Sequence, residues 1–263
     1  MYKMNQIPSE AKIKKFIRRI VFGKNVYCPE CKSRKVIRYQ ERYHCLKCKR
    51  RFSLVSHTFL KNMKLNYQQF WLILWCWVTQ IPVKQSVALA NFSEVSVRHW
   101  FELFRNNLPN DEVVLANLVQ LDEAYFKNTG LMLGKQVGSR KLAWTVLNTT
   151  NVQRHHATSF LQQYVAPQTQ LNTDGAKIYR NIGQWWPVNH KFDIHKKWEF
   201  SQTSEIEGMF GCLRTFIRRM YHHVNSDKLP ELVGEFCYRF SSPEIFNNPQ
   251  SYLEKTLRLV TSD

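Results

Sequence analysis

Residues 118–123, LVQLDE, run apolar and then end in two carboxylates, and residues 169–175, TQLNTDG, end in an acid before a glycine turn. Both have strand composition. KLAWTVLN (141–148) and VQRHHATSF (152–160) have it too, so the stretch from 118 to 175 is predicted β-rich. Helical periodicity then returns over 203–222 and 228–240. The fold class expected is α/β. Two adjacent strand ends and one helix can bring Asp122, Asp174 and Glu207 together. Asp174 follows Asp122 by 52 residues, and Glu207 follows Asp174 by 33.

Acids are scarce, 20 against 38 basic residues, so their placement is informative. Hard divalent cations such as Mg2+ or Mn2+ want oxygen ligands of this kind. Two such ions about 3.5–4 Å apart can activate a nucleophile and stabilise the leaving oxygen of a phosphodiester. Taken singly, each strand-end acid reads better as a cap or a surface charge. The helix adds to the case. Glu207, Gly211, Arg214 and Arg218 share one face, beside an apolar stripe of Ile206, Phe210, Leu213 and Ile217. That face would set a metal-binding carboxylate beside two guanidinium groups for DNA phosphate. Arg214 also reads as a plain surface cation.

Working outward, residues 27–53 read YCPECKSRKVIRYQERYHCLKCKRRFS. Cys28 and Cys31 form one pair, Cys45 and Cys48 a second, with 13 residues between them. Two such knuckles bridged by a hairpin supply the four thiolates of a tetrahedral, closed zinc site. A module with almost no core takes its folding free energy from the metal. This Zn2+ is structural, because no coordination position stays open. The ribbon carries nine cations, Lys49 and Arg50 among them, which suits contact with DNA phosphate. Cys76, Cys212 and Cys237 stand singly in apolar segments and are expected to be buried.

Between ribbon and α/β domain, residues 66–106 read as helical throughout. Val87, Leu89 and Ala90 suit a first helix, 91–93 a turn, and Val95, Val97, Trp100 and Phe104 the buried face of a second. Ser96, Arg98, His99 and Glu102 would point outward. This is a helix-turn-helix pattern, with Arg98 and His99 as candidates for the DNA groove, although any packed helical hairpin looks similar.

Composition sets the wider bounds. The 263 residues are 44% hydrophobic and 22% charged, with a net charge of +18. That charge favours nucleic acid over a membrane surface as partner. No apolar run reaches the roughly 18–20 residues of a membrane span. The basic N-terminus has no apolar signal core, so a cytoplasmic protein is expected, nucleoid-associated through DNA, or nuclear in a eukaryotic host.

With these motifs in place, the chain resembles the DDE transposases of small bacterial insertion sequences that begin with a zinc ribbon, a group related to the eukaryotic Merlin elements. The resemblance runs through RYHCLKCKRRFSLVSHTFL (42–60), LDEAYF (121–126), NTDGAKIY (172–179), DIHKKWEF (193–200), SEIEGMFGCLRTFIRRMYHHV (204–224) and EFCYRF (235–240). It implies an RNase H-like catalytic domain over 113–245, after a ribbon (1–60) and a helix-turn-helix module (61–112), with a tail at 246–263. It implies Asp122, Asp174 and Glu207 as catalytic acids, with His195 beside them to orient a phosphate or the nucleophile, although His195 reads equally as a packed core histidine. Many relatives carry Asn where this chain has Ser204, so Glu205 and Ser204 stay open for the third position. Expected partners are transposon ends, target DNA and a second copy of the chain, with no membrane. The contrasting readings are a non-catalytic DNA-binding regulator and a nuclease without strand transfer.

Overall fold

The structure is a computed structural model that describes residues 7–193, 203–222 and 225–259. The chain forms two compact units: residues 1–109 with 244–263, and residues 110–243.

The first unit opens with α1 (Glu10–Phe22), whose Ile13, Ile17 and Val21 are buried at one helical spacing. The ribbon follows as β1 (Val36–Tyr39), β2 (Arg42–Cys45) and β3 (Arg51–Phe52), paired antiparallel in that order. Three helices come next: α2 (Tyr67–Val78), α3 (Val83–Ala90) and α4 (Glu94–Asn106). A capping box starts α2: Asn66 Oδ1 accepts from the Gln69 amide at 2.8 Å, and Gln69 Oε1 accepts from the Asn66 amide at 3.2 Å. Asn91, in the left-handed region at φ 54°, turns the chain from α3 to α4. On α4, Val97, Trp100 and Phe104 are buried as expected, but Val95 is 79% exposed. Val95 lies in the first turn, before the helix meets α2.

The aromatic excess of α2 is used in the core, where Trp77 packs on Phe104 and Tyr252. Tyr252 comes from the last helix of the chain, α8 (Pro249–Thr256), and its hydroxyl donates to the Phe104 carbonyl at 2.8 Å. The C-terminal residues therefore pack into the N-terminal unit.

The second unit is built on β4 (Leu118–Phe126), β5 (Thr129–Gln136), β6 (Leu142–Leu147), α5 (Arg154–Tyr164), β7 (Gln170–Asp174), β8 (Asn189–Asp193), α6 (Ser204–Tyr221) and α7 (Leu229–Ser241). The sheet order is β6-β5-β4-β7-β8. The first three strands are antiparallel, and β4, β7 and β8 are parallel. This is an RNase H-like sheet. One face carries Val119, Leu121 and Met132 against Ala157, Phe160 and Leu161 of α5. The other packs α6 on β4 and β5, and α7 on β6.

Two expectations change. VQRHHATSF does not form a strand: residues from Arg154 onward are α5, because Ala157, Phe160 and Leu161 recur on one helical face and Gln153 with His156 closes a capping box. Strand β5 went unexpected because Gly130 and Gly134 interrupt its β-type residues.

Gly134 is required by close packing. A Cβ there would meet Phe160 at 2.9 Å and Leu115 at 3.0 Å. Gly134→Ala should therefore destabilise the unit by about 1–3 kcal/mol through overpacking. Urea unfolding followed by tryptophan fluorescence measures this, and an unchanged midpoint would contradict it.

Candidate active site and metal centres

The parallel pairing of β4 with β7 sets Leu118, Val119 and Gln120 opposite Gln170, Leu171 and Asn172. Two residues further along each strand stand Asp122 and Asp174. Sequence positions 52 apart thus become neighbours at one end of the sheet. Each carboxylate is held by a backbone amide: Asp122 Oδ1 accepts from the Glu123 N–H at 2.8 Å, and Asp174 Oδ1 from the Ala176 N–H at 3.0 Å.

Glu123 belongs to the same cluster. One oxygen from each of Asp122, Glu123 and Asp174 lies within 4.8 Å of the others. Strand alternation turns Glu123 away from the Asp122 face. It nonetheless sits on the last stretch of β4, beyond the residues that pair with β7, and its carboxylate still reaches the pair. Octahedral magnesium, with bonds of about 2.0–2.1 Å, holds its oxygens about 3–4 Å apart, so these three groups fit one divalent cation.

The electrostatics agree with that fit. Burial pushes the Asp122 carboxyl up to about 7. The Glu123 amide opposes the rise, and the charges of Glu123, Asp174 and Glu207 add to it. Burial raises the Glu123 carboxyl as well, against the hydrogen bond from Tyr179. A cation would relieve both.

Helix α6 carries Glu207, and two buried groups fix where it starts. Gln120 Oε1, two residues before Asp122, accepts from the Ile206 amide at 2.9 Å. Lys135, 5% exposed, pairs with Glu205 at 2.7 Å and donates to the Ser139 carbonyl at 2.9 Å. Glu205 is thus committed to an ion pair. Glu207 is exposed, and its Oε1 accepts from the Thr203 hydroxyl at 3.1 Å. It lies close enough to raise Asp122 but is not in the group of three. Gly211, Arg214 and Arg218 continue its exposed face, while Ile206, Phe210, Leu213 and Ile217 are buried. Arg214 lies over the Phe126 ring at 5.7 Å, four residues past Asp122 on β4. Cys212 is exposed on this helix, not buried as expected, because it falls on the solvent side of the stripe. His195 lies outside the described residues.

The ribbon brings its four cysteines together. Cys28 and Cys48 sulfurs are 3.6 Å apart, as are those of Cys31 and Cys45. Tetrahedral zinc with bonds of about 2.3 Å sets sulfurs about 3.8 Å apart, so the site fits the ion. Backbone amides of Cys48 and Lys47 pull the Cys45 thiol down to about 6. The two knuckles are alike: Lys32 and Lys49, both at positive φ, donate their amides to the Cys28 and Cys45 carbonyls at 2.9 Å. Lys49 and Arg50 are exposed, and Arg50 pairs with Glu30 at 3.0 Å. On α4, His99 is exposed, and Arg98 pairs with Glu94 at 2.7 Å.

Residues 131–241 match a family model described as the ISXO2-like transposase domain, and residues 8–51 match the transposase zinc-ribbon domain. Together the matches span more than half of the chain. The first begins beyond Asp122 and Glu123 and includes Asp174 and Glu207. No curated protein matches the chain. Among solved structures, the chain is similar to one from a simian T-cell lymphotropic virus intasome in complex with PP2A regulatory subunit B56 gamma. There the identity is 13% and the TM-score 0.36, with 64% of this chain and 67% of that one covered. It is also similar to the catalytic core domain of BIV integrase, at 11% identity and a TM-score of 0.34, with 47% and 82% covered. A DDE domain joined to a zinc ribbon places the chain in the class of DNA transposases. Both matched models are IS1595-type domains.

The raised Asp122 carboxyl has a measurable consequence. Its folded value is about 7 against an ordinary 3.8, so between those values the fold binds more protons than the unfolded chain. In magnesium-free buffer, stability should fall as pH climbs from about 4 to about 7, then level off. Asp122→Asn should remove most of that slope in denaturant unfolding across this range. Equal slopes for wild type and the Asp122→Asn variant would count against it.

Proposed function

We propose that this chain cuts DNA at its element's ends and joins the freed strand to a target, with Asp122, Asp174 and Glu207 as the catalytic acids. The observation that carries this reading is the meeting of Asp122 and Asp174 at matched ends of neighbouring parallel strands, with the Glu207 helix hung from the same strand through Gln120. Two divalent cations, when bound, supply Lewis-acid activation of the attacking oxygen and stabilisation of the leaving one. Asp122 and Asp174 would hold these ions from the sheet end, and Glu207 would add its carboxylate from α6. Glu205 is set aside by its pairing with Lys135. His195 orients a phosphate or the nucleophile.

Hydrolysis at the element's end frees a 3′-hydroxyl, which then attacks target DNA. Arg214 and Arg218, exposed on the Glu207 face of α6, grip phosphates of the strand being cut. The ribbon (1–60) holds DNA through Lys49 and Arg50, and the helical module (61–112) through Arg98 and His99. Residues 113–245 do the chemistry, and 246–263 form the tail. Because two ends must be cut in concert, the working form is a dimer or larger assembly on DNA.

A supercoiled plasmid bearing the element's own ends should be nicked by wild type with Mg2+. Asp174→Ala should lose more than about 100-fold of that rate, because loss of even an outer partner of a metal ligand costs 10–100-fold. Equal nicking by both proteins would instead fit a DNA-binding regulator with a contaminating nuclease, and nicks that are never joined would fit a nuclease.

Arg214→Ala and Arg218→Ala should each weaken binding of end DNA. Each should also reduce the slope of log K against log salt by about one. Titrations at several salt concentrations measure this, and unchanged slopes would remove these residues from the interface.

A further inference from the structure

The three-acid reading leaves Glu123 without a task, yet it is the most firmly held carboxylate of the cluster. Tyr179 donates its hydroxyl to Glu123 Oε2 at 2.5 Å. Tyr179 is wholly buried, and its ring belongs to the apolar cluster that includes Val119, Leu121, Leu171 and Ile182. A ring packed on all sides cannot swing its hydroxyl to another partner. The residue stands in a short 3-10 turn, Lys177–Tyr179, directly after the Asp174-Gly175-Ala176 bend. That bend also supplies the Ala176 amide bound to Asp174. One six-residue segment therefore fixes two carboxylates, Asp174 at its start and Glu123 across the sheet end.

We propose that Glu123 is the third carboxylate around the cation held by Asp122 and Asp174, and that Tyr179 is the positioning residue that fixes it. The phenol takes one oxygen of Glu123 and leaves the other to the ion. Outer partners of this kind orient a ligand before the metal arrives. Glu207, outside the group of three and exposed on α6, then serves the second ion. The proposal rests on the cation site described under Proposed function.

Calorimetric titration of Mn2+ into the zinc-loaded full chain tests it, together with melting curves in Mn2+-free buffer. Glu123→Gln keeps the side-chain shape and an acceptor for Tyr179. It should weaken Mn2+ binding by about 10-fold or more while raising the Mn2+-free melting temperature, because a like charge is gone. Tyr179→Phe should weaken Mn2+ binding about 10-fold with unchanged stoichiometry. If both variants bind Mn2+ as wild type does, and only melt earlier, the pair is merely structural and the proposal is overturned. Should Tyr179→Phe not fold, Glu123→Gln decides alone. Asp174→Ala keeps the two readings apart. If it binds Mn2+ normally, the cation site itself is wrong. If it loses Mn2+ while Glu123→Gln keeps it, only the role of Glu123 and Tyr179 fails.

Discussion

The parallel pairing of β4 and β7 is the constraint on which the second unit depends. Parallel neighbours need a crossover, and here the chain spends β5, β6 and α5 on it before returning to the side of β4. The register then decides which residues share the sheet end. A slip of one residue would turn Asp174 to the other face and dissolve the cluster. The fold thereby concentrates negative charge where burial makes it unfavourable, as the rise of the Asp122 carboxyl records. Hydrophobic packing on the α5 face supplies the free energy that tolerates it.

The start of α6 is the second fixed point. Its Glu205 and Glu207 lie two residues apart yet do opposite things. Glu205 neutralises Lys135, a cation almost without solvent. Breaking that pair would leave a buried charge uncompensated. Glu207 faces outward beside Arg214 and Arg218. Helical spacing alone could not assign these roles, because the partner of Glu205 sits on β5, a strand whose composition hides it.

Much of the arrangement was legible in the sequence. The cysteine spacing announced its own geometry, because thiolates in two short turns have few alternatives. The strands carrying Asp122 and Asp174 were legible because apolar runs end abruptly in acids. Local composition misled at 152–160, where β-branched and histidine residues hide a helix whose buried spacing is 3 and 4. Val95 and Cys212 show the limit of reading an apolar side chain as a core side chain. The nearness of Glu123 to the pair was not legible, because alternation gives a face and not the reach of a long side chain at a strand end. The Tyr179 contact spans 56 residues and depends on the tertiary fold.

The ribbon and the acidic cluster ask for different ions for different reasons, sulfur for zinc and oxygen for a hard cation. A chelator added to halt strand cutting is therefore two reagents in one. On the proposed reading it would withdraw the ions of the cut, and given time it would also strip the zinc that the four cysteines fit. A halted reaction after such treatment reads as chemistry switched off, or as a grip released. Leaving magnesium out of the buffer, with zinc in place, would on the same reading spare the ribbon and stop only the cut.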